Sequence, residues 1–193
     1  MTAQTSWRRA EVRIIGGQAG GRRLVVPPAG TRPTTDRVRE ALFSSLDALL
    51  GDWSGLRILD AYAGSGAVGL EALSRGARSA TFVERDRRTA AILRRNIETV
   101  GLPGASVIVA DAQQADLPGP YDLVFLDPPY AAADEEVAGL LDRLAAMGAV
   151  PPEGFAVVER DVRSGAPWPR EGWDALRRRD YGETSLWYGQ FAS

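Results

Sequence analysis

Residues 59–73 read LDAYAGSGAVGLEAL. A strand pattern over 57–63 (RILDAYA) runs into a glycine-rich turn, and helical spacing then holds from Ala67 to Arg75, where Gly76 closes it. A strand feeding a helix through a tight glycine turn is half of a crossover unit, and the pattern repeats outward from here. ATFVE (80–84) predicts a strand and Arg87 to Val100 a helix closed by Gly101. SVIVA (106–110) and YDLVFLD (121–127) predict strands, Glu135 to Met147 a helix ended by Gly148, and GFAVVER (154–160) a further strand. Strands alternating with helices call for a parallel sheet covered on both faces, so the fold class is α/β. The tail breaks the alternation. DALRRRDYG leads into SLWYGQF (185–191) with no helix between, which predicts a closing hairpin and one antiparallel strand in a mostly parallel sheet.

Upstream the pattern differs. VRIIGGQAGGRRLVV (12–26) sets two β-rich runs around Gly16, Gly17, Gly20 and Gly21, a hairpin signal. Pro27, Pro28, Gly30 and Pro33 make a turn-rich connector. Val38, Leu42, Leu46 and Leu49 then recur at helical spacing from about Thr35 to Leu50, with Thr34, Thr35 or Asp36 as caps and Gly51 as the stop. The expected organisation is a small basic extension over 1–35 and one main domain over 36–193.

Composition narrows the chemistry. The chain has 193 residues, 45% hydrophobic and 25% charged, an ordinary globular mixture able to bury a core without staples. It has no Cys and no His, which removes disulfides, thiolate nucleophiles, Ser-His-Asp triads, imidazole bases and Cys- or His-ligated metals. No apolar run approaches the roughly 18 residues of a membrane span. The N-terminus lacks a signal-peptide pattern. The expectation is a cytoplasmic monomer with no membrane partner. All 23 cations are Arg. Residues 1–39 carry eight of them (Arg8, Arg9, Arg13, Arg22, Arg23, Arg32, Arg37, Arg39) against two acids, a local charge of +6 on a body of −8. A basic end on an acidic body points to a polyanion; the alternatives are a solvated face or a codon preference for Arg.

Gly64, Gly66 and Gly69 match GxGxxG, and Glu84 lies 20 residues past Gly64. That is the shape of a dinucleotide site, where glycines admit backbone to a ligand and an acid grips ribose hydroxyls. Asp60 departs from it: a carboxylate at that mouth suits a cationic ligand, such as a sulfonium amino acid, better than a diphosphate. Asp111 ends the third strand and can accept from an adenine amine, although an Asp there also serves as a turn residue. LVFLDPPY (123–130) then delivers Asp127, two prolines and Tyr130. Prolines remove N–H donors and leave carbonyls. An amine donating to the Asp127 carboxylate and the Pro128 carbonyl is oriented for attack, and Tyr130 offers a face for a base, worth about 1–3 kcal/mol.

On these residues the sequence resembles the Class I S-adenosylmethionine-dependent methyltransferases. The resemblance implies a seven-stranded, Rossmann-like sheet with S-adenosylmethionine held by Asp60, Tyr62, Gly64, Ser65, Gly66, Glu84, Arg85, Asp111 and Ala112. It implies release of S-adenosylhomocysteine, catalysis at Asp127, Pro128, Pro129 and Tyr130, and no metal. The flanks RIIGGQAGGRRL (13–24), GTRPTTDRVREALFSSL (30–46) and YGETSLWYGQF (181–191) are similar to the bacterial 16S ribosomal RNA guanine-N2 methyltransferase family, often called RsmD. That family implies methylation of a guanine N2 in 16S rRNA, with an assembled or assembling small ribosomal subunit as partner. Arg13, Arg22, Arg23, Arg32, Arg37 and Arg39 are the candidate RNA contacts, with Arg32, Arg37 and Arg39 expected to border the base pocket, and with no Lys in the chain they favour bidentate phosphate grips. The cluster Arg85, Arg87, Arg88, Arg94 and Arg95 reads as a solvated helix face, and Arg177 to Arg179 as RNA-facing or solvated. An adenine-N6 or other amino-methyltransferase with the same DPPY, and a non-catalytic RNA-binding assembly factor, are the alternatives.

Overall fold

The computed structural model describes residues 11–27, 35–129 and 131–192. Arg32, Thr34 and Tyr130 lie outside the described residues. β1 (Glu11–Arg13) and β2 (Arg23–Val25) pair as an antiparallel hairpin, with Val12 opposite Leu24. α1 (Asp36–Leu50) starts at Thr35, whose Oγ1 accepts the Val38 N–H at 3.4 Å, and stops at Gly51. The crossover units follow as β3 (Arg57–Asp60), α2 (Ala67–Arg75), β4 (Ser79–Val83), α3 (Arg87–Val100), β5 (Ala105–Ile108), β6 (Leu123–Leu126), α4 (Asp134–Ala146) and β7 (Phe155–Asp161). β8 (Trp173–Tyr181) and β9 (Thr184–Phe191) close the chain as a hairpin.

The main sheet has seven strands in the order β5-β4-β3-β6-β7-β9-β8. β3 to β7 are parallel; β9 is antiparallel to both β7 and β8, so it alone runs against the rest. From β3 the chain winds outward to β4 and β5, then returns to β6 and winds the other way. The strand order therefore reverses between β3 and β6, and a crevice opens at their C-terminal ends.

Alternation along the strands builds two cores. Ile58, Leu123, Phe125 and Val157 face α1, α2 and α3; Leu59, Val124, Leu126, Ala156 and Val158 face α4. Strands β3, β5 and β6 stop one to three residues short of their predicted ends, because the chain leaves the sheet there to form the crevice wall.

The hairpin is packed onto the body. Ile14, Ala19 and Leu24 are buried in one core with Leu42 and Phe43 of α1 and Leu70 and Leu73 of α2. Three buried polar side chains dock its backbone. Glu71 accepts the Ile15 and Gly16 N–H groups at 2.6 and 2.9 Å. Ser74 accepts the Ala19 N–H at 2.9 Å and donates to the Gly16 carbonyl at 2.5 Å. Asn96 exchanges two hydrogen bonds with Val25, both 2.9 Å. Gly17 sits at φ 74°, where a Cβ would fall 1.9 Å from the Ser74 carbonyl oxygen, so only glycine permits this approach.

Candidate active site

β3 ends at Asp60, which is 2% exposed and accepts the Gly69 N–H in the first turn of α2 at 3.1 Å. Burial, assisted by the charge of Glu84 and opposed by the Gly69 N–H, pushes Asp60 up to about 7. The glycine turn then carries the chain over the sheet edge. Ala61 and Ala63 donate to the carbonyls of Phe125 and Val83, at 3.0 and 2.9 Å, which ties the ends of three strands together. Gly66 caps α2 at φ 80°, and a Cβ there would meet Leu93 at 2.3 Å. Gly64 faces open space.

Glu84 follows β4 and spans the turn: Oε2 accepts the Gly64 N–H at 3.0 Å and Oε1 accepts the Asp86 N–H at 2.8 Å. Asp111 follows β5, exposed, with its carboxylate on the Gln113 N–H at 2.9 Å. It is a turn residue and a crevice residue at once. Tyr62 is half-buried beside Gln113, and burial raises its hydroxyl. Asp127 follows β6, half-buried, with Pro128 buried and Pro129 exposed. Burial first, then the charges of Glu159 and Asp60, push Asp127 well above the usual carboxylate range.

These groups converge on one cavity of about 610 Å3. Its wall includes Asp60, Tyr62, Gly64, Ser65, Glu84, Arg85, Asp111, Ala112, Asp127, Pro128 and Pro129, all singled out from the sequence. Gly66 does not line it but positions the turn that does. The crevice is thus acidic at the ends of four neighbouring strands, which favours a cationic or amine-bearing occupant. Among the described residues no group of three or more His, Cys, Asp or Glu side chains is placed to hold a metal ion. No helix among them is long and apolar enough to cross a membrane.

Other wall residues escaped the sequence. Val12, Val26 and Pro27 bring the hairpin to the cavity, giving it a part beyond presenting charge. Asn96, 1% exposed, donates to the Ser65 carbonyl at 2.8 Å while holding Val25, so it couples the hairpin to the glycine turn. Nothing in the sequence separates that Asn from an ordinary helix residue.

The arginines divide. Arg13 is 65% exposed with its Nε 3.8 Å from Asp36, and Arg37 is exposed; both remain surface groups. Arg23 is exposed. Arg22 is exposed but engaged, donating to the carbonyls of Val100 and, at 3.3 Å, Thr99 at the end of α3. Arg39, a candidate RNA contact expected to border the pocket, lies in its wall and is enclosed there. It is 0% exposed, held by the Arg13 carbonyl at 2.8 Å and Asp36 at 2.6 Å, and forms cavity wall with Nε and Nη1 unpaired. The helix stripe that buries Val38 and Leu42 carries Arg39 inward with it. Arg177 and Arg178 lie over the rings of Tyr188 and Trp187, each 4.7 Å from the centroid.

Residues 12–190 match the family described as Conserved hypothetical protein 95. Ribosomal RNA small subunit methyltransferase D of Escherichia coli (strain K12) is 40% identical over 179 residues, covering 91% of this chain and 87% of that one. Its namesake in Haemophilus influenzae is 35% identical over 189 residues, covering 94% and 95%. The solved structure of yhhF from Escherichia coli superposes with a TM-score of 0.84 at 35% identity, over 95% of this chain and 99% of that one. Family and fold together make this chain a methyltransferase belonging to the Conserved hypothetical protein 95 family, alongside curated relatives named ribosomal RNA small subunit methyltransferase D.

Proposed function

We propose that the protein transfers a methyl group from S-adenosylmethionine to the exocyclic N2 of a guanine in 16S rRNA, within an assembled or assembling small ribosomal subunit in the cytoplasm, and that it works as a monomer without a metal. The observation that carries this is the meeting of Asp60, Glu84, Asp111 and Asp127 at one cavity beside the Pro128–Pro129 step. The relatives named for small-subunit ribosomal RNA supply the substrate class.

The residues present fit S-adenosylmethionine. A cavity of about 610 Å3 falls within the range of small-molecule sites. Glu84 has the position to take ribose hydroxyls, Asp111 the adenine amine, and the buried charge of Asp60 favours a positive amino-acid end. When bound, S-adenosylmethionine would supply an electrophilic methyl on a cationic sulfur, with S-adenosylhomocysteine as the leaving group that keeps the C–S electron pair.

The chain's own part is to present and deprotonate the amine. Asp127 and the Pro128 carbonyl accept N–H bonds from N2 and aim its lone pair. Because Asp127 is raised, its carboxylate is a better proton acceptor than an ordinary one and can take the N2 proton before passing it to water. Stacked bases hide N2, so the guanine must be splayed from a loop. Arg13, Arg23 and Arg37 then contribute phosphate contacts, which position without specifying. Asp127→Ala tests the assignment: methyl transfer falls by at least roughly 10²-fold, while S-adenosylmethionine and RNA binding stay within about twofold of wild type. Retained transfer refutes the role of Asp127.

A further inference from the structure

Asp127 and Pro128 belong to the walls of two cavities. The second is a cavity of about 20 Å3 shared with Glu159 and Arg160. Strands β6 and β7 pair in parallel with Leu126 beside Val158, so Asp127 and Glu159 are the next residues of adjacent strands and share a face. Glu159 is 9% exposed, and its charge is the largest electrostatic influence on Asp127 after burial. Arg160 is 8% exposed. Its Nη2 is fixed by the Ala132 carbonyl and Asp134, both at 2.8 Å, while its Nε is buried in the structure with no acceptor. Two neighbouring carboxylates, at the residue that receives the amine, call for a ligand edge with adjacent donors.

A base edge supplies it. Guanine presents two adjacent donors, N2–H and N1–H, followed by the O6 acceptor. Adenine and cytosine place a ring-nitrogen lone pair beside their amine, which a carboxylate repels. A cavity of about 20 Å3 holds roughly one water, which is room for one polar group of a base edge with the rings left outside. We propose that Glu159 is the residue that selects guanine, its carboxylate accepting N1–H while Asp127 accepts from N2. This rests on the guanine-N2 reading above. A carboxylate offers about four acceptor sites, so Glu159 can take N1–H alongside the contacts it already makes.

The test uses 2-aminopurine, which keeps the 2-amine but carries a lone pair at N1 in place of the N–H. The guanosine methylated by wild type is mapped first; RNA bearing guanosine or 2-aminopurine riboside at that position is then compared in single-turnover transfer. Wild type favours guanosine by roughly 10²-fold, because a buried carboxylate facing a lone pair is left unmet. In Glu159→Gln the ratio falls to within about threefold, since the amide can turn its N–H₂ towards N1. S-adenosylmethionine affinity stays unchanged, and Glu159→Ala shows the same collapse of the ratio.

Wild type using both bases at similar rates overturns the inference, as does a ratio preserved in Glu159→Gln. If neither variant retains S-adenosylmethionine binding, the wild-type ratio alone decides. Wild type that methylates no guanosine overturns the underlying reading and the inference with it. Guanosine methylation with an unaltered ratio in the variant overturns the inference alone.

Discussion

Glu71 holds the hairpin to the methyltransferase body, and Glu71→Gln measures how strongly. The wholly buried carboxylate accepts from Ile15 at 2.6 Å, Gly16 at 2.9 Å and the Arg75 Nε at 3.0 Å. All three partners are donors. An amide keeps one acceptor oxygen and turns its N–H₂ against a donor. A buried donor left unmet costs about 1–3 kcal/mol, and a lost charge-assisted bond adds a similar amount. Arg75 is partly compensated, since Asp47 also holds it at 2.8 Å. The expected destabilisation is about 2–4 kcal/mol, a fall in Tm of roughly 5–15 °C for a chain of this length. Hydrogen exchange locates the damage: amides over 12–26 lose protection before those of α3 and the sheet. RNA affinity falls further than S-adenosylmethionine affinity, because the exposed arginines leave their platform. A Tm within about 1 °C of wild type, with hairpin protection intact, refutes the docking argument.

Two further outcomes follow from the polar contacts. Asp60 titrates near 7 in the folded chain against about 3.9 unfolded, so its charge opposes folding: stability from this group is full below about pH 4 and is lost as pH rises through about 7. Asp60→Asn keeps an acceptor for the Gly69 N–H without the charge, and its stability advantage over wild type should widen between about pH 5 and pH 8, towards at most about 4 kcal/mol; a gap constant with pH in urea unfolding contradicts this. Arg22→Ala removes the group that meets the final carbonyls of α3 and should cost about 0.5–1.5 kcal/mol in the absence of RNA; unchanged stability would assign Arg22 to RNA contact alone.

Local signals explain what could be read ahead. Ala67–Arg75 and Arg87–Val100 match their predicted bounds because Gly66, Gly76, Asp86 and Gly101 mark the ends chemically. The crevice acids were visible because each ends an apolar strand. What stayed hidden is long-range. Glu71, Ser74 and Asn96 look like ordinary polar helix positions, and their burial depends on a hairpin more than fifty residues away along the chain. Arg39 sits in a basic run read as bordering the pocket, but that it is fully enclosed there follows only from the path of α1 against the Arg13 carbonyl. Glu159 lies at the end of an apolar strand pattern with nothing local to set it apart, and gains meaning from the register of β6 with β7.

The central claim is tested most directly by methyl transfer from labelled S-adenosylmethionine to small-subunit particles lacking the modification, with naked 16S rRNA alongside and the product RNA digested to nucleosides for mass identification. The account predicts label in N2-methylguanosine, more efficiently in particles than in naked RNA, and none with Asp127→Ala. Label in N6-methyladenosine, or cofactor binding with no label in either RNA, contradicts it.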